Sequence, residues 1–387
     1  MNSINRPVYL DYNATTPIDP FVQEAMLPYL EEHFGNPSSG YIYGRHNKEA
    51  VEKARTQVAA LINATPEEVV FTSGGSESNN QAIIGAALTN MGKGKHIITS
   101  QIEHPSVLNT CRYLEQRLGF RVTRLMVDEY GQVDPEDVAR TITGDTILIT
   151  IMHANNEVGT IEPIEEIGQI AREYGVLFHA DAAQSCGKVE VNVSDLNVDL
   201  LTIAGHKLYA PKGIGALYVR SGVMIDSLIH GAGQEHGRRA GTENVPYIVG
   251  LGAACELVQY SLADYEARTK PLRDRLHNKL VEGLGRDRVS LNGHPEKRLP
   301  NTLNISIKGI NSEDLLSRIP EVAVSTGSAC HSGSREPSRV LLQMGVSREL
   351  ALGAVRLSLG RWTTEAEIDL AAGLLVERAQ HLASLYH

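Results

Sequence analysis

The chain has 387 residues, 42% apolar and 21% charged, the balance of an ordinary folded protein rather than of a disordered or fibrous one. Its length exceeds the roughly 250 to 300 residues at which a single hydrophobic core stops growing, so two domains are expected. A formal charge of −10 argues against broad binding to a phosphate backbone, which needs clustered basic surface, and no nucleic-acid partner is expected.

The start, Met1 to Pro7, lacks the apolar core of a signal peptide, and no apolar run approaches the ~18 residues of a membrane span. A cytoplasmic protein with no membrane partner is expected. Val51, Ala54, Val58, Leu61 and Ile62 recur at helical spacing, with Glu49, Glu52, Lys53 and Arg55 largely on the other faces, which marks a packing helix. Short β-rich runs then alternate with helical periodicity, and strands are predicted at 68–72, 96–101, 121–126, 146–152, 175–180, 198–203 and 214–219. That alternation predicts an α/β fold with a mostly parallel central sheet.

From Val245 the pattern becomes one long helical stretch reaching Leu284, with an interruption expected at Pro271. A domain boundary near 260 gives a large domain of 17–260. A smaller α+β domain takes 1–16 and 261–387, with a strand at 302–307, a helix at 312–319, a Gly/Ser-rich loop within 325–338, a strand at 354–359 and a terminal helix from Thr364.

Two strand ends carry chemistry. The run ending at Ile203 is followed by Ala204-Gly205-His206-Lys207, and the run ending at Ala180 is followed by Asp181. A lysine amine beside a carboxylate suits pyridoxal phosphate, the amine forming a Schiff base and the carboxylate keeping the pyridine nitrogen protonated. The segment Thr72 to Asn80, with Gly74, Gly75 and Ser76, follows a strand and opens a helix. It reads either as a phosphate cradle at the helix N-terminus or as a helix capped by Ser76, and Lys207 favours the first. Gly250-Leu251-Gly252 has partial dinucleotide spacing but lies in a helical pattern and is set aside.

The four cysteines, 111, 186, 255 and 330, match neither a disulfide framework nor a metal-ligand pattern. Cys111, Cys186 and Cys255 read as packing residues. Cys330 lies in a loop too polar and glycine-rich to be core, where a thiol needs a chemical reason.

These motifs, with Asp11-Tyr12-Asn13-Ala14-Thr15-Thr16-Pro17, Gly35-Asn36-Pro37-Ser38-Ser39, Glu103-His104, Asn155-Asn156-Glu157, Asp181-Ala182-Ala183-Gln184, Gly241-Thr242 and Arg356-Leu357-Ser358-Leu359-Gly360, run nearly end to end. Together they resemble the NifS/IscS-type cysteine desulfurases, class-V aminotransferase-like enzymes of the fold-type I pyridoxal phosphate group. The resemblance implies that Lys207 carries the cofactor and Asp181 pairs with its ring nitrogen. It further implies that Gln184 bonds the phenolic oxygen, that His104 stacks on the ring as acid or base, and that Gly75, Ser76 and His206 hold the phosphate. Thr242 would reach the phosphate of a neighbouring subunit, making an active homodimer. Arg356, assisted by Asn156, would take the substrate carboxylate, a guanidinium fork matching its two oxygens.

The activity so implied turns L-cysteine into L-alanine, with a persulfide left on Cys330 for an iron-sulfur scaffold or another sulfur-acceptor protein. A selenocysteine lyase or plain class-V aminotransferase is the alternative within the group; a non-catalytic sulfur carrier or assembly scaffold is the alternative outside it. The chain departs from the resemblance at Ala204, where many relatives have a phosphate-bonding serine, and at His331, where threonine is common.

Overall fold

A computed structural model describes residues 6–326 and 336–385. In chain order the strands are β1 (Val8–Tyr9), β2 (Val69–Thr72), β3 (His96–Ser100), β4 (Arg121–Leu125), β5 (Thr146–Met152), β6 (Leu177–Asp181), β7 (Leu200–Ala204), β8 (Gly215–Val219), β9 (Val289–Leu291), β10 (Thr302–Ile307), β11 (Val322–Ala323) and β12 (Ala354–Ser358). Helices α1 (Pro20–Glu31) and α2 (Ile42–Leu61) precede β2. Helices α3 (Gly75–Asn90), α4 (Pro105–Leu118), α5 (Pro135–Thr141) and α6 (Ile164–Tyr174) cross between strands. Helix α7 (Val245–Leu284) follows the sheet, and α8 (Ser312–Leu316), α9 (Arg339–Gln343), α10 (Arg348–Leu352) and α11 (Glu365–Leu385) complete the set.

Strands β2 to β8 form one seven-stranded sheet in the order β2-β8-β7-β6-β5-β3-β4. Every pairing from β7 to β4 is parallel, and β8 alone runs against both of its neighbours. The strands are apolar on both faces because both are covered. In β3, Ile97 and Ile98 point into opposite cores, as Leu148 and Ile149 do in β5 and Leu200 and Leu201 in β7.

Two boundaries shift for a local reason. The strand expected at 175–180 begins at Leu177 because Gly175, at φ +65°, forms the left-handed cap of α6. It then runs on to include Asp181. The interruption expected at Pro271 does not occur, and α7 continues through it. Pro271 removes one N–H, but both it and Ala267, whose carbonyl loses that partner, are exposed, so the break lies on the solvent side of the helix. Helix α7 is long and apolar enough in composition to cross a membrane, but it packs against α1, α2 and α11 as a core helix.

A second core gathers around the antiparallel sheet β12-β10-β9, covered by α11 and the C-terminal half of α7. Along α7, Val258 belongs to the first core and Leu272 to the second. Residues 8–13 join this part of the chain: β1 pairs with β11, and Asp11 bridges to Ser358.

Candidate active site

The carboxyl ends of the parallel strands open onto a cavity of about 1080 Å³. Ligands of open α/β sheets characteristically settle at this edge. Asp181 ends β6, Lys207 follows β7, His104 follows β3, and the Ser73-Gly74-Gly75-Ser76 turn follows β2, all lining the same space. Gln184, His206, Asn156 and Arg356 line it too, so sequence separation is lost in the fold.

One end of the cavity suits an anion. The N-cap of α3 is Gly74, at φ +145°, which has no side chain to cap the helix. Ser76 lies inside the first turn, so the capping role considered for it is not the one it plays. The leading N–H groups of a sixteen-residue helix therefore face the cavity wall, at the positive end of its dipole. A Cβ on Gly75 would lie 3.2 Å from the Cβ of Ala204, so glycine and alanine together keep this end open. His206 bonds Thr15 Oγ1 through Nδ1 at 3.1 Å, and burial pushes its pKa down to about 4, leaving it neutral at pH 7.

Lys207 reaches across to the N-terminal segment, donating to the carbonyls of Asn13 at 2.6 Å and Ala14 at 2.8 Å. Burial, reinforced by Arg356, pushes its amine down to about 8. Asp181 is held at both oxygens, Oδ1 accepting from the Ala183 amide at 2.9 Å and Oδ2 from Asn79 Nδ2 at 2.7 Å. His104 is both helix cap and cavity residue: its Nδ1 accepts from the Ser106 amide at 3.1 Å. A backbone N–H only donates, so the neutral ring carries its proton on Nε2. Burial holds that imidazole below its ordinary pKa.

Opposite lies Arg356, whose side chain is 2% exposed. Its two terminal nitrogens donate to the Asn156 carbonyl at 3.0 Å and to Asp11 Oδ1 at 2.7 Å, which fixes the plane of the guanidinium. Each keeps a second hydrogen. Three lining residues have a buried polar atom without a partner among the described residues: Asn79 Oδ1, Glu103 Oε2 and Arg356 Nε. Buried polar atoms are rarely left so, and two oxygens with one guanidinium N–H are the mixed polar groups of a binding site.

Cys330 and His331 lie outside the described residues. The chain on either side of them is tied to the cavity wall. Ser325 exchanges main-chain hydrogen bonds with Arg356, and Ser338 Oγ donates to Glu157 Oε2 at 2.5 Å. Four residues separate Ser325 from Cys330 in the sequence. Cys111, Cys186 and Cys255 are buried, and burial pushes the first two thiols up to about 12, as packing residues require. Thr242 is exposed and stands outside the cavity lining.

Residues 8–370 match the family model described as aminotransferase class-V. The chain belongs to the class-V aminotransferase family. Within it, the chain is 50% identical to the cysteine desulfurase IscS of Methanosarcina thermophila, the match covering 98% of this chain and 94% of that protein. It is 48% identical to the cysteine desulfurase IscS of Dictyoglomus turgidum over 99% and 97%. Among solved structures, a NifS-like protein superposes with a TM-score of 0.91 at 38% identity, covering 97% of this chain and all of that one. SspA in complex with cysteine superposes at 0.81 with 40% identity, covering 92% and 99%.

Three polar residues of this class-V site carry no role in the sequence reading. Asn79 joins Asp181 to Ser106, donating to Ser106 Oγ at 2.8 Å. Asn13 accepts on its carbonyl from Lys207 and Gln184 and on its side chain from Asn301. Lys188 lies buried behind Gln184. Asn79 sits in the Ser76-to-Asn80 run and Asn13 in the Asp11-to-Pro17 motif, so their positions were marked; nothing local distinguishes Lys188 from a surface lysine.

Proposed function

We propose that this protein is a pyridoxal phosphate-dependent cysteine desulfurase that converts L-cysteine to L-alanine and leaves the sulfur as a persulfide on Cys330. The observation that carries the reading is the meeting, in one cavity, of a depressed lysine amine, a carboxylate held at both oxygens and an uncapped helix N-terminus. They match an aldehyde, a protonated ring nitrogen and a phosphate. When bound, pyridoxal phosphate supplies an electron sink for charge developing at the substrate Cα.

The chain's own residues supply the rest. Arg356 receives the substrate carboxylate in a plane fixed by Asp11 and the Asn156 carbonyl, as suits a guanidinium fork. Lys207, once free, would take the α-proton as a neutral amine. Asp181, held by Asn79 and the Ala183 amide, would pair with the cofactor's ring nitrogen, Gln184 would donate to its phenolic oxygen, and Gly75, Ser76 and His206 would hold its phosphate. His104, neutral with its proton on Nε2, would serve as an acid and relay the thiol proton. The Cys330 thiolate attacks the substrate sulfur: an S–S bond forms, the Cβ–S bond breaks, and Cβ gains a proton to become the alanine methyl. No external oxidant is needed, because the electron pair of the broken Cβ–S bond stays with Cβ, which is reduced to the methyl level as the two sulfurs are oxidised to the persulfide.

In this reading residues 17–260 form the cofactor-binding domain, and 1–16 with 261–387 form the domain that carries the reactive loop. Thr242, on an exposed segment, serves the phosphate of a second copy in a homodimer. The persulfide passes to an iron-sulfur scaffold or another cytoplasmic sulfur acceptor.

The test is to load purified protein with pyridoxal phosphate and supply L-cysteine. Alanine and a labile sulfur on Cys330 should appear in equal amounts in the first turnover. Cys330→Ala should lose turnover while keeping the cofactor's visible colour. Protein that stays colourless, or a Cys330→Ala variant that still releases sulfide, overturns the proposal.

A further inference from the structure

Lys188 is 3% exposed, an uncommon place for a lysine, and burial holds its amine well below the ordinary lysine range. It does not line the cavity. From behind the wall its Nζ donates to Gln184 Oε1 at 2.7 Å and to Asn13 Oδ1 at 3.0 Å. The amine thus has an acceptor oxygen for each of two of its hydrogens.

The consequence lies in which way the neighbouring amides face. A side-chain amide presents either an acceptor or a donor, depending on a half-turn of its terminal group. An N–H on Lys188 makes Gln184 turn its oxygen inward, so its NH2 group faces the other way. One of those hydrogens goes to the Asn13 carbonyl at 3.0 Å, and the other is left for an acceptor in the cavity that Gln184 lines. The same constraint turns the Asn13 amide toward Thr302 Oγ1, at 2.9 Å, and the Asn156 carbonyl, at 3.3 Å. Asn13 in turn offers its carbonyl to Lys207. The buried amine, with Asn301 on the same Asn13 oxygen and the Asn13 carbonyl on Gln184 Nε2, thus fixes the direction of two amides that border the reactive lysine.

We propose that Lys188 is a positioning residue that locks Gln184 with its NH2 toward the cavity, so that Gln184 donates to the phenolic oxygen of the bound cofactor. This rests on the pyridoxal phosphate reading above. The charged and titratable groups that face Lys188 are Lys207 and His206, after β7, and Arg356, in β12. A donor at the phenolic oxygen favours its ionised form. Losing that donor therefore moves the pH midpoint of the cofactor's visible absorbance change upward.

The experiment compares the full-length holoenzyme with Lys188→Met, Gln184→Leu and the double variant, each titrated by visible absorbance. Both single variants should raise the midpoint by about 0.5 to 1 pH unit, the effect of one lost hydrogen bond. The double variant should go no higher than Gln184→Leu alone, because Lys188 acts through Gln184. A wild-type midpoint in Lys188→Met, or additive shifts in the double variant, overturns the proposal; additivity would mark a direct charge effect. If Lys188→Met does not fold, a crystal structure of the wild-type holoenzyme decides. Gln184 Nε2 must lie within hydrogen-bond distance of the phenolic oxygen with Lys188 still on Oε1, and the reverse orientation overturns the assignment. A wild-type protein that never takes colour would defeat the cofactor reading itself, whereas a coloured wild type matched by Lys188→Met defeats only the role of Lys188.

Discussion

Asn79 and Asp181, 102 residues apart in the chain, meet through a 2.7 Å hydrogen bond from the amide nitrogen of one to Oδ2 of the other. The same nitrogen lies 2.8 Å from Ser106 Oγ, which is 2.7 Å from His104 Nδ1. Asp181 and His104 are therefore linked through one asparagine and Ser106.

Replacing Asn79 with alanine should leave Asp181 with only the Ala183 amide of these two donors. A hydrogen bond to a charged group contributes about 1.5 to 3 kcal/mol, so cofactor affinity or kcat should fall roughly 10- to 100-fold. Equilibrium dialysis of the cofactor, together with turnover at saturating cofactor, measures both; unchanged values in both would show that Asn79 does not align the acid.

The amine of Lys207, pushed down to about 8 by burial, should make cofactor capture by the apoprotein pH-dependent. Only the neutral amine attacks an aldehyde, so the capture rate should rise with pH and level off above about 8. The stability effect follows the same shift. An unfolded lysine titrates near ~10.4, so between about 8 and ~10.4 the unfolded chain holds the extra proton and apoprotein stability gains from Lys207 as pH rises. A capture midpoint near that of a free lysine would show that the amine is not depressed.

Arg356→Lys should separate binding from chemistry. Lysine keeps the charge but loses the planar fork, so KM for cysteine should rise about 10- to 100-fold while kcat changes far less. Steady-state kinetics on holoenzyme of verified cofactor content reads the two apart. An unchanged KM would remove Arg356 from the carboxylate site.

Glu103 lies fully inside, with Oε1 accepting from Ser100 Oγ at 2.7 Å and from the Met152 amide at 2.9 Å, and burial pushes its carboxyl up to about 8. The folded protein therefore holds a proton that the unfolded chain releases near ~4.3, and stability falls as pH rises between these values. Glu103→Gln removes that dependence. Urea midpoints at pH 5.5 to 8, a range within about 4.3 to 8, should show the wild type losing up to ~1.4 kcal/mol per pH unit relative to the variant. Parallel curves would mean that Glu103 is ionised throughout.

Much of this was readable in the chain because it depends on local pattern. Runs such as Ile147 to Ile151, apolar but for Thr150, put apolar side chains on both faces, which marks a sheet covered on both sides. Lys207 and Asp181 were legible because each follows such a run directly. The seven-stranded sheet was expected, but the reversal of β8 was not, since strand direction depends on a connection rather than on composition. Pro271 misled because the rule against proline in helices assumes that the freed carbonyl is buried. Asn13, Asn79 and Lys188 stayed hidden for another reason: the contacts Asn79 to Asp181, Lys188 to Asn13 and Asn13 to Lys207 span 102, 175 and 194 residues, and a polar residue has no periodicity to betray it.

The contacts of Asp11 and Asn13 with Arg356 and Ser358 join positions 345 residues apart. On a ribosome the first of these residues emerges long before the last, at about 5 to 20 residues per second. The sheet strands can pair while synthesis continues, but the carbonyl that receives Lys207 has no settled place until β12 has been made and has docked. If the site takes the vitamin-derived group proposed above, loading should therefore follow the docking of β12, and a nascent polypeptide stalled before Arg356 should fail to retain it.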